Sequence, residues 1–214
     1  MLKTGISAEA RARGRRQRGV TLIELVVTLA LLGIFMAIAA PSFSNWLQNS
    51  RIRNTATALS AGIQLAKAEA VARNTGVRFQ LTSSLGNDCA ISTSGTNWVI
   101  NMIGANTAAD SVETRCASAP SDTVAPRILH TKPSKDGNGS VEITATVGSV
   151  VFNGLGKPTP APAANITMDV INAAAGSCDA NGAAVCLRIV ITPSGQVRMC
   201  NPKLPNSDVQ GCGA

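Results

Sequence analysis

Glu24 is the first residue whose surroundings demand chemistry. It lies four positions after Val20 in RGVTLIELVVTLALLGIFMAIAAP (residues 18–41), where almost every other side chain from Val20 to Ala40 is apolar. A carboxylate in hydrocarbon costs roughly 2.5–3.5 kcal/mol at mid-membrane and less near an end, so it needs a partner. A cut between Gly19 and Val20 supplies one. The new amine of Val20 sits about one helical turn from Glu24, and on the same chain or a neighbour it neutralises the carboxylate. The chemistry is peptide hydrolysis performed on this chain: Gly19 leaves the backbone bare where a peptidase must approach. A negative side chain in the first turn also suits the helix macrodipole. An ordinary export signal has an apolar core of about 7–15 residues and a small-residue cleavage site. The run from Val20 to Ala40 is longer, and at 1.5 Å per residue it spans a bilayer core of about 30 Å.

Elsewhere the reactive residue types are sparse. His130 is the only histidine, and after Ile128-Leu129 it reads as a strand residue rather than a general base. No nucleophile elbow is present, and the glycines at 137–140 (GNGS) and 154–157 (GLGK) lack the continuation of a phosphate loop. The carboxylates are scattered. An enzyme is not expected, and neither is a cofactor. Six cysteines (Cys89, Cys116, Cys178, Cys186, Cys200 and Cys212) all follow the apolar run. Their even number and one-sided placement point to disulfides in an oxidising compartment. With no CxxC and one histidine, a zinc site of usual spacing is not expected. Six cysteines allow 15 pairings. Cys89–Cys116 is the pair expected to staple the first long loop. For the other four, Cys178–Cys186 with Cys200–Cys212 stands beside Cys186–Cys200 with Cys178–Cys212, and the first set is the expectation.

The net charge of +7 belongs mainly to the first 19 residues, which hold six basic side chains against Glu9 and so carry +5; the remainder carries +2. Placed just before an apolar span, that charge keeps the N-terminus cytoplasmic and is poor evidence for nucleic-acid binding. Residues 1–19 therefore read as a leader to be removed, residues 20–41 as a transmembrane helix, and 42–75 as its amphipathic continuation beyond a kink at Pro41. In that continuation Leu59, Ile63, Ala66 and Ala70 form one helical stripe, with Arg51, Arg53, Lys67 and Arg73 off it. Asn74-Thr75-Gly76 is a helix stop in which Gly76 is expected to take the left-handed cap.

From residue 76 to 214 short β-like runs alternate with turn residues. Strands are expected at Val77–Thr82, Trp98–Ile103, Ser140–Thr146, Ser149–Asn153, Ile166–Ile171, Val185–Thr192 and Gly195–Cys200, the last two as a hairpin. Gly104–Pro126 and Gly154–Ala164 are expected as exposed loops. The fold class is α+β: a long N-terminal helix packed on a head of antiparallel sheet. Aromatics make up only 3% of the chain and Tyr is absent, so the head's core must be built from Val, Ile, Leu and Ala.

The basic leader, Gly19, a bulky apolar residue and Thr21-Leu22-Ile23-Glu24-Leu25 resemble the class III signal of type IV pilins and pseudopilins, although Val20 stands where Phe is usual. IQLAKAEAVARNTGV, VVFNGLGKP and RIVITPSGQVRMC extend the resemblance to the GspH/FimT type of minor pilin. The resemblance implies cleavage before Val20 by a prepilin peptidase and N-methylation of Val20. It also implies use of Glu24 and Pro41 in assembly with other minor pilins, the major pilin and an inner-membrane assembly platform. The head would face the periplasm and then join a surface filament whose assembly the subunit initiates or caps. Two alternatives accompany this. One is a type II secretion pseudopilin of GspH type. The other is DNA capture for natural transformation through a GRxR-like motif, here Gly195-Gln196-Val197-Arg198 with Gln196 in place of one arginine, helped by Arg188, Lys157 and Lys203.

Overall fold

The computed structural model describes residues 19–133, 141–172 and 185–213, apart from the side chains of residues 37–42, 44 and 45. The chain divides into two units, residues 1–44 and 45–214. Helix α1, Leu22–Arg73, is assigned without interruption through Pro41. Its start is chemically specified. Thr21 is the N-cap: its carbonyl accepts from Leu25 N–H at 3.1 Å and its Oγ1 from Glu24 N–H at 3.3 Å. Thr21-Leu22-Ile23-Glu24 therefore has the spacing of a capping box.

The end of α1 corrects the expected cap. Asn74, at φ 46°, takes the left-handed conformation, while Gly76 already begins the first strand. Thr75 N–H donates to Ala70 O and Asn74 N–H to Val71 O, both at 3.2 Å; this is the paired-bond Schellman arrangement. Asparagine tolerates the left-handed region, and Gly154 makes room for it: a Cβ there would run into Asn74.

The strands are β1 (Gly76–Thr82), β2 (Asn97–Ile103), β3 (Ile128–Lys132), β4 (Val141–Ala145), β5 (Ser149–Phe152), β6 (Ile166–Asn172), β7 (Leu187–Ile191) and β8 (Val197–Cys200). They form two antiparallel four-stranded sheets, ordered β3-β2-β1-β5 and β4-β6-β7-β8. Strand β3 puts His130 on a strand, as its Ile128-Leu129 context suggests, although it is not among the strands whose bounds the sequence marks, and the region before it differs from the exposed loop expected at Gly104–Pro126. Asp110, Val112 and Cys116 of that loop are buried, and Val112 and Cys116 share a small core with Cys89, Val99 and Ile128. The loop lies over the outer face of the first sheet, so its apolar residues are spaced for contact rather than for any helical or strand period.

The main core is shared by both sheets and α1. The helix contributes Ile52, Ala56, Leu59, Ile63, Ala66 and Ala70, at alternating steps of four and three, all buried. Small residues near its C-terminal end let the backbone come close, and Gly62 is the tightest point. A Cβ there would sit 2.7 Å from the Trp98 ring and 3.2 Å from Phe79, whose rings are 5.7 Å apart. Strand alternation supplies the rest: Val77, Phe79 and Leu81 face the main core, while Arg78, Gln80 and Thr82 point to the opposite side of the sheet, where Gln80 and Thr82 are nonetheless buried.

Candidate functional site

The N-terminal unit carries the residues that the sequence singles out for processing and assembly. Gly19 precedes the helix, and a Cβ added to it would meet nothing within 4 Å. Among the described residues no contact requires glycine there. Val20 is 71% exposed. Glu24 occupies the third helical position, is exposed, and has no ion-pair partner among the described residues. The apolar side chains that follow, through Met36, are exposed as well. The leader up to Arg18 lies outside the described residues, as does the Pro41 side chain. Among the described residues no helix is long and apolar enough to cross a membrane. The described part of the apolar run, residues 22–36, is about 22 Å long, and the sequence continues it to Ala40.

Two of the basic residues singled out in the head, Arg188 and Arg198, bond through their side chains within it. Arg188 on β7 forks onto Asp169 on β6, its cross-strand partner, with Nε–Oδ1 at 2.6 Å and Nη2–Oδ2 at 2.8 Å. The hydrogen bonds to Asp169 raise the Arg188 pKa above its ordinary value. Arg198 on β8 donates to the carbonyl of Cys212 at 2.8 Å and to that of Gly213 at 3.5 Å. Both arginines lie on the outer face of the second sheet, two register positions apart. Lys203 follows β8, and its N–H donates to Asn201 Oδ1. Lys157 sits in the β5–β6 turn, and a Cβ on Gly195 would come within 3.2 Å of its Cα. Gly195 has φ 86° and abuts the Gly156 carbonyl, so the glycine of the GQVR stretch has a backbone reason to be there. Gln196, in the place of the second motif arginine, lines an apolar groove.

Disulfides join Cys89 to Cys116 and Cys200 to Cys212. The second ties the C-terminal segment back to β8, which is what brings the Cys212 and Gly213 carbonyls to Arg198. Cys186 is also oxidised; its expected pairing with Cys178 involves a residue outside the described set.

Three polar clusters went unread in the sequence. Buried Asp110 accepts both Nε and Nη2 of Arg127 at 2.9 Å, and the N–H of Gly104 at 2.7 Å. Asn101 Nδ2 donates to the Asp110 and Pro126 carbonyls while its Oδ1 accepts from Gln80. His130 on β3 meets Glu69 Oε1 at 3.2 Å, and Glu69 Oε2 accepts from Arg73 at 2.7 Å. Hydrogen bonding to Arg73, and then to His130, holds the Glu69 carboxyl below its ordinary value against the opposing effect of burial. These bonds anchor the long loop and the edge strand to the rest of the head. Among the described residues no group of histidine, cysteine and carboxylate side chains has the geometry of a metal site.

The family model for type II transport protein GspH matches residues 55–195, and that for the prokaryotic N-terminal methylation motif matches residues 14–40. Two crystal forms of the type IV minor pilin FimU of Pseudomonas aeruginosa are similar at 14% identity and a TM-score of 0.46. The match covers 75% and 78% of this chain and 98% of each FimU chain. No curated protein matches. The head match covers well over half of the sequence and the methylation motif spans the start of α1: the chain belongs to the GspH/FimT-type family of pilin-like proteins.

Proposed function

We propose that the chain is an inner-membrane minor pilin, cleaved between Gly19 and Val20, N-methylated on Val20, and used to initiate or cap a type IV pilus. One observation carries the reading: α1 opens on a capped first turn whose Glu24 and apolar side chains have no partners among the described residues. In a membrane or filament the apolar faces pack against lipid or neighbouring helices, and Glu24 answers the terminal amine of Val20 on an adjacent subunit. No hydrophobic force drives helices together in lipid, so one charge pair and close packing choose partner and register. Other minor pilins, the major pilin, a prepilin peptidase and the assembly platform are the partners this implies, with the head in the periplasm before assembly.

Processing and piliation test it. Gly19→Glu should leave the full-length chain in the membrane, read by mass on a gel, and normal cleavage of that variant would sink the leader assignment. Glu24→Ala should be cleaved yet fail to support piliation; full piliation would remove the charge pair from the account.

The family description itself favours a second reading, a pseudopilin of a type II secretion machine, which uses the same leader and helix. DNA capture has less support. Arg188 and Arg198 already spend their donors on Asp169 and on tail carbonyls, and a phosphate would have to compete with both.

A further inference from the structure

Lys132 ends β3 directly opposite Trp98 on β2, and residues paired across strands share a face of the sheet. Trp98 belongs to the main core, so Lys132 carries a cation on the core side of the first sheet. An ammonium on that side needs water or an anion. Lys132 makes no ion pair or side-chain hydrogen bond among the described residues. It lines a pocket of about 290 Å³ between α1 and the two sheets, into which Arg51 of α1 brings a second cation. Asn54 and Thr96 add neutral hydrogen-bonding groups, while Trp98 and Ile143 give the pocket an apolar floor. Among the described residues no carboxylate lines it.

The lining selects a class of ligand. Two cations from different elements suit a group that spreads its negative charge over several oxygens, and arginine is shaped for phosphate in particular. A polyol attached to that phosphate meets Asn54 and Thr96 with its hydroxyls and the floor with its carbons. A bare carboxylate would leave both unused. Position selects the source. The apolar run ends at Ala40, Trp46 follows with 62% of its surface exposed, and Arg51 lies five residues further on, about 8 Å of helix rise. Apolar run, indole and then cation is the residue order of a membrane–water interface. Basic pockets at that level take anionic head groups.

Resting on the membrane location in the minor-pilin reading, we infer that this pocket holds the glycerophosphate head group of an anionic membrane lipid. Arg51 and Lys132 clasp the phosphate, Asn54 and Thr96 meet the glycerol hydroxyls, and Trp98 lies against the glycerol carbons.

The test uses the full chain in lipid nanodiscs, in a Trp46→Phe background that leaves Trp98 as the only indole. Raising the fraction of phosphatidylglycerol in phosphatidylcholine discs should shift Trp98 emission to a plateau. Lys132→Met, which keeps the length of the stem, should cut the response at a given lipid fraction by about fivefold and leave the far-ultraviolet circular dichroism unchanged. Arg53→Gln, at an exposed cation outside the pocket, should not cut it. In discs of phosphatidylcholine alone, sn-glycerol 3-phosphate should produce the same shift, and acetate at equal concentration should not. No shift with phosphatidylglycerol, an equal loss in Arg53→Gln, or an equal response to acetate would overturn the inference. A response to glycerol 3-phosphate without one to phosphatidylglycerol would overturn the lipid as the source. Cleavage after Gly19, scored separately by mass, decides the minor-pilin reading, so failure of the pocket and failure of that reading are told apart.

Discussion

Leu29 and Leu59 lie on one continuous helix and meet opposite fates. Leu29, like its apolar neighbours through Met36, is 59% exposed, whereas Leu59 is 1% exposed at the centre of the head's core. The residue type and the backbone are the same; what differs is the supply of partners. From residue 52 to residue 70 the sequence repeats apolar side chains at steps of four and three, so one face is buried and the rest of the surface carries only small or polar side chains and the half-buried Leu65. From residue 22 to residue 36 the helix is apolar on every face, a pattern that a monomer in water cannot satisfy. The buried stripe of the head finds its partners within the chain, whereas the apolar side chains of residues 22–36 find none among the described residues.

The sharpest way to break that contrast is to truncate both leucines. Leu59→Ala removes buried methyl groups from a filled core and should cost about 2–5 kcal/mol. Leu29→Ala should leave the unfolding of the head unchanged to within about 0.5 kcal/mol. Denaturant unfolding followed by Trp98 emission, in a Trp46→Phe background, reads both. A large cost at Leu29 would mean that the first unit draws on the head for stability, and the contrast would fail.

The same contrast explains what could be read in advance. The stripe Leu59, Ile63, Ala66, Ala70 was legible because one repeating period encodes both helix and buried face. Gly19, Val20 and Glu24 stand out as a spacing of unlike residue types, within the stretch that the methylation-motif model matches. Strand β3 was harder. It follows a long irregular loop, pairs with β2 across a register shift at Ile100/Asn101, and carries His130, Thr131 and Lys132 in place of an apolar alternation. The helix cap was assigned to Gly76 on intrinsic preference, but β1 pairing claims Gly76, and Asn74 takes the strained position. The burial of Asp110 depends on Arg127, a partner distant in sequence, and no local pattern encodes it. The engagement of Arg198 depends on a tail brought back by Cys200–Cys212, a pairing that spacing alone left open.

Gly62 tests how tightly the head is closed. In an exposed helix Gly→Ala stabilises by about 1 kcal/mol. At Gly62 the new methyl would lie 2.7–2.9 Å from two atoms of the Trp98 ring, and overpacking of a filled core typically costs about 1–3 kcal/mol. The sign is therefore expected to reverse, with a lower denaturation midpoint and an altered Trp98 emission maximum. A gain in stability would show that Trp98 and Phe79 can yield, and that the helix–sheet contact is looser than the buried stripe implies.

The smallest effect expected is at Glu69, where the head's surface shares some of the openness of the first unit. Glu69 is partly exposed, and Arg73 four residues on holds its carboxyl below the ordinary value of 4.5. A folded-state pKa below the unfolded one contributes stability that is present above the unfolded value and lost as pH falls through the folded one. Glu69→Gln should therefore cost a few tenths of a kcal/mol near neutral pH, the usual size of an i,i+4 helix pair. That difference from the parent should shrink below about pH 4.5 and vanish at lower pH. Added salt should reduce it as well, because the pair is reached by solvent. A cost that is larger and independent of both pH and salt would locate the contribution of Glu69 in its packing against β3 through His130, and would move this edge of the head from the open class to the closed one.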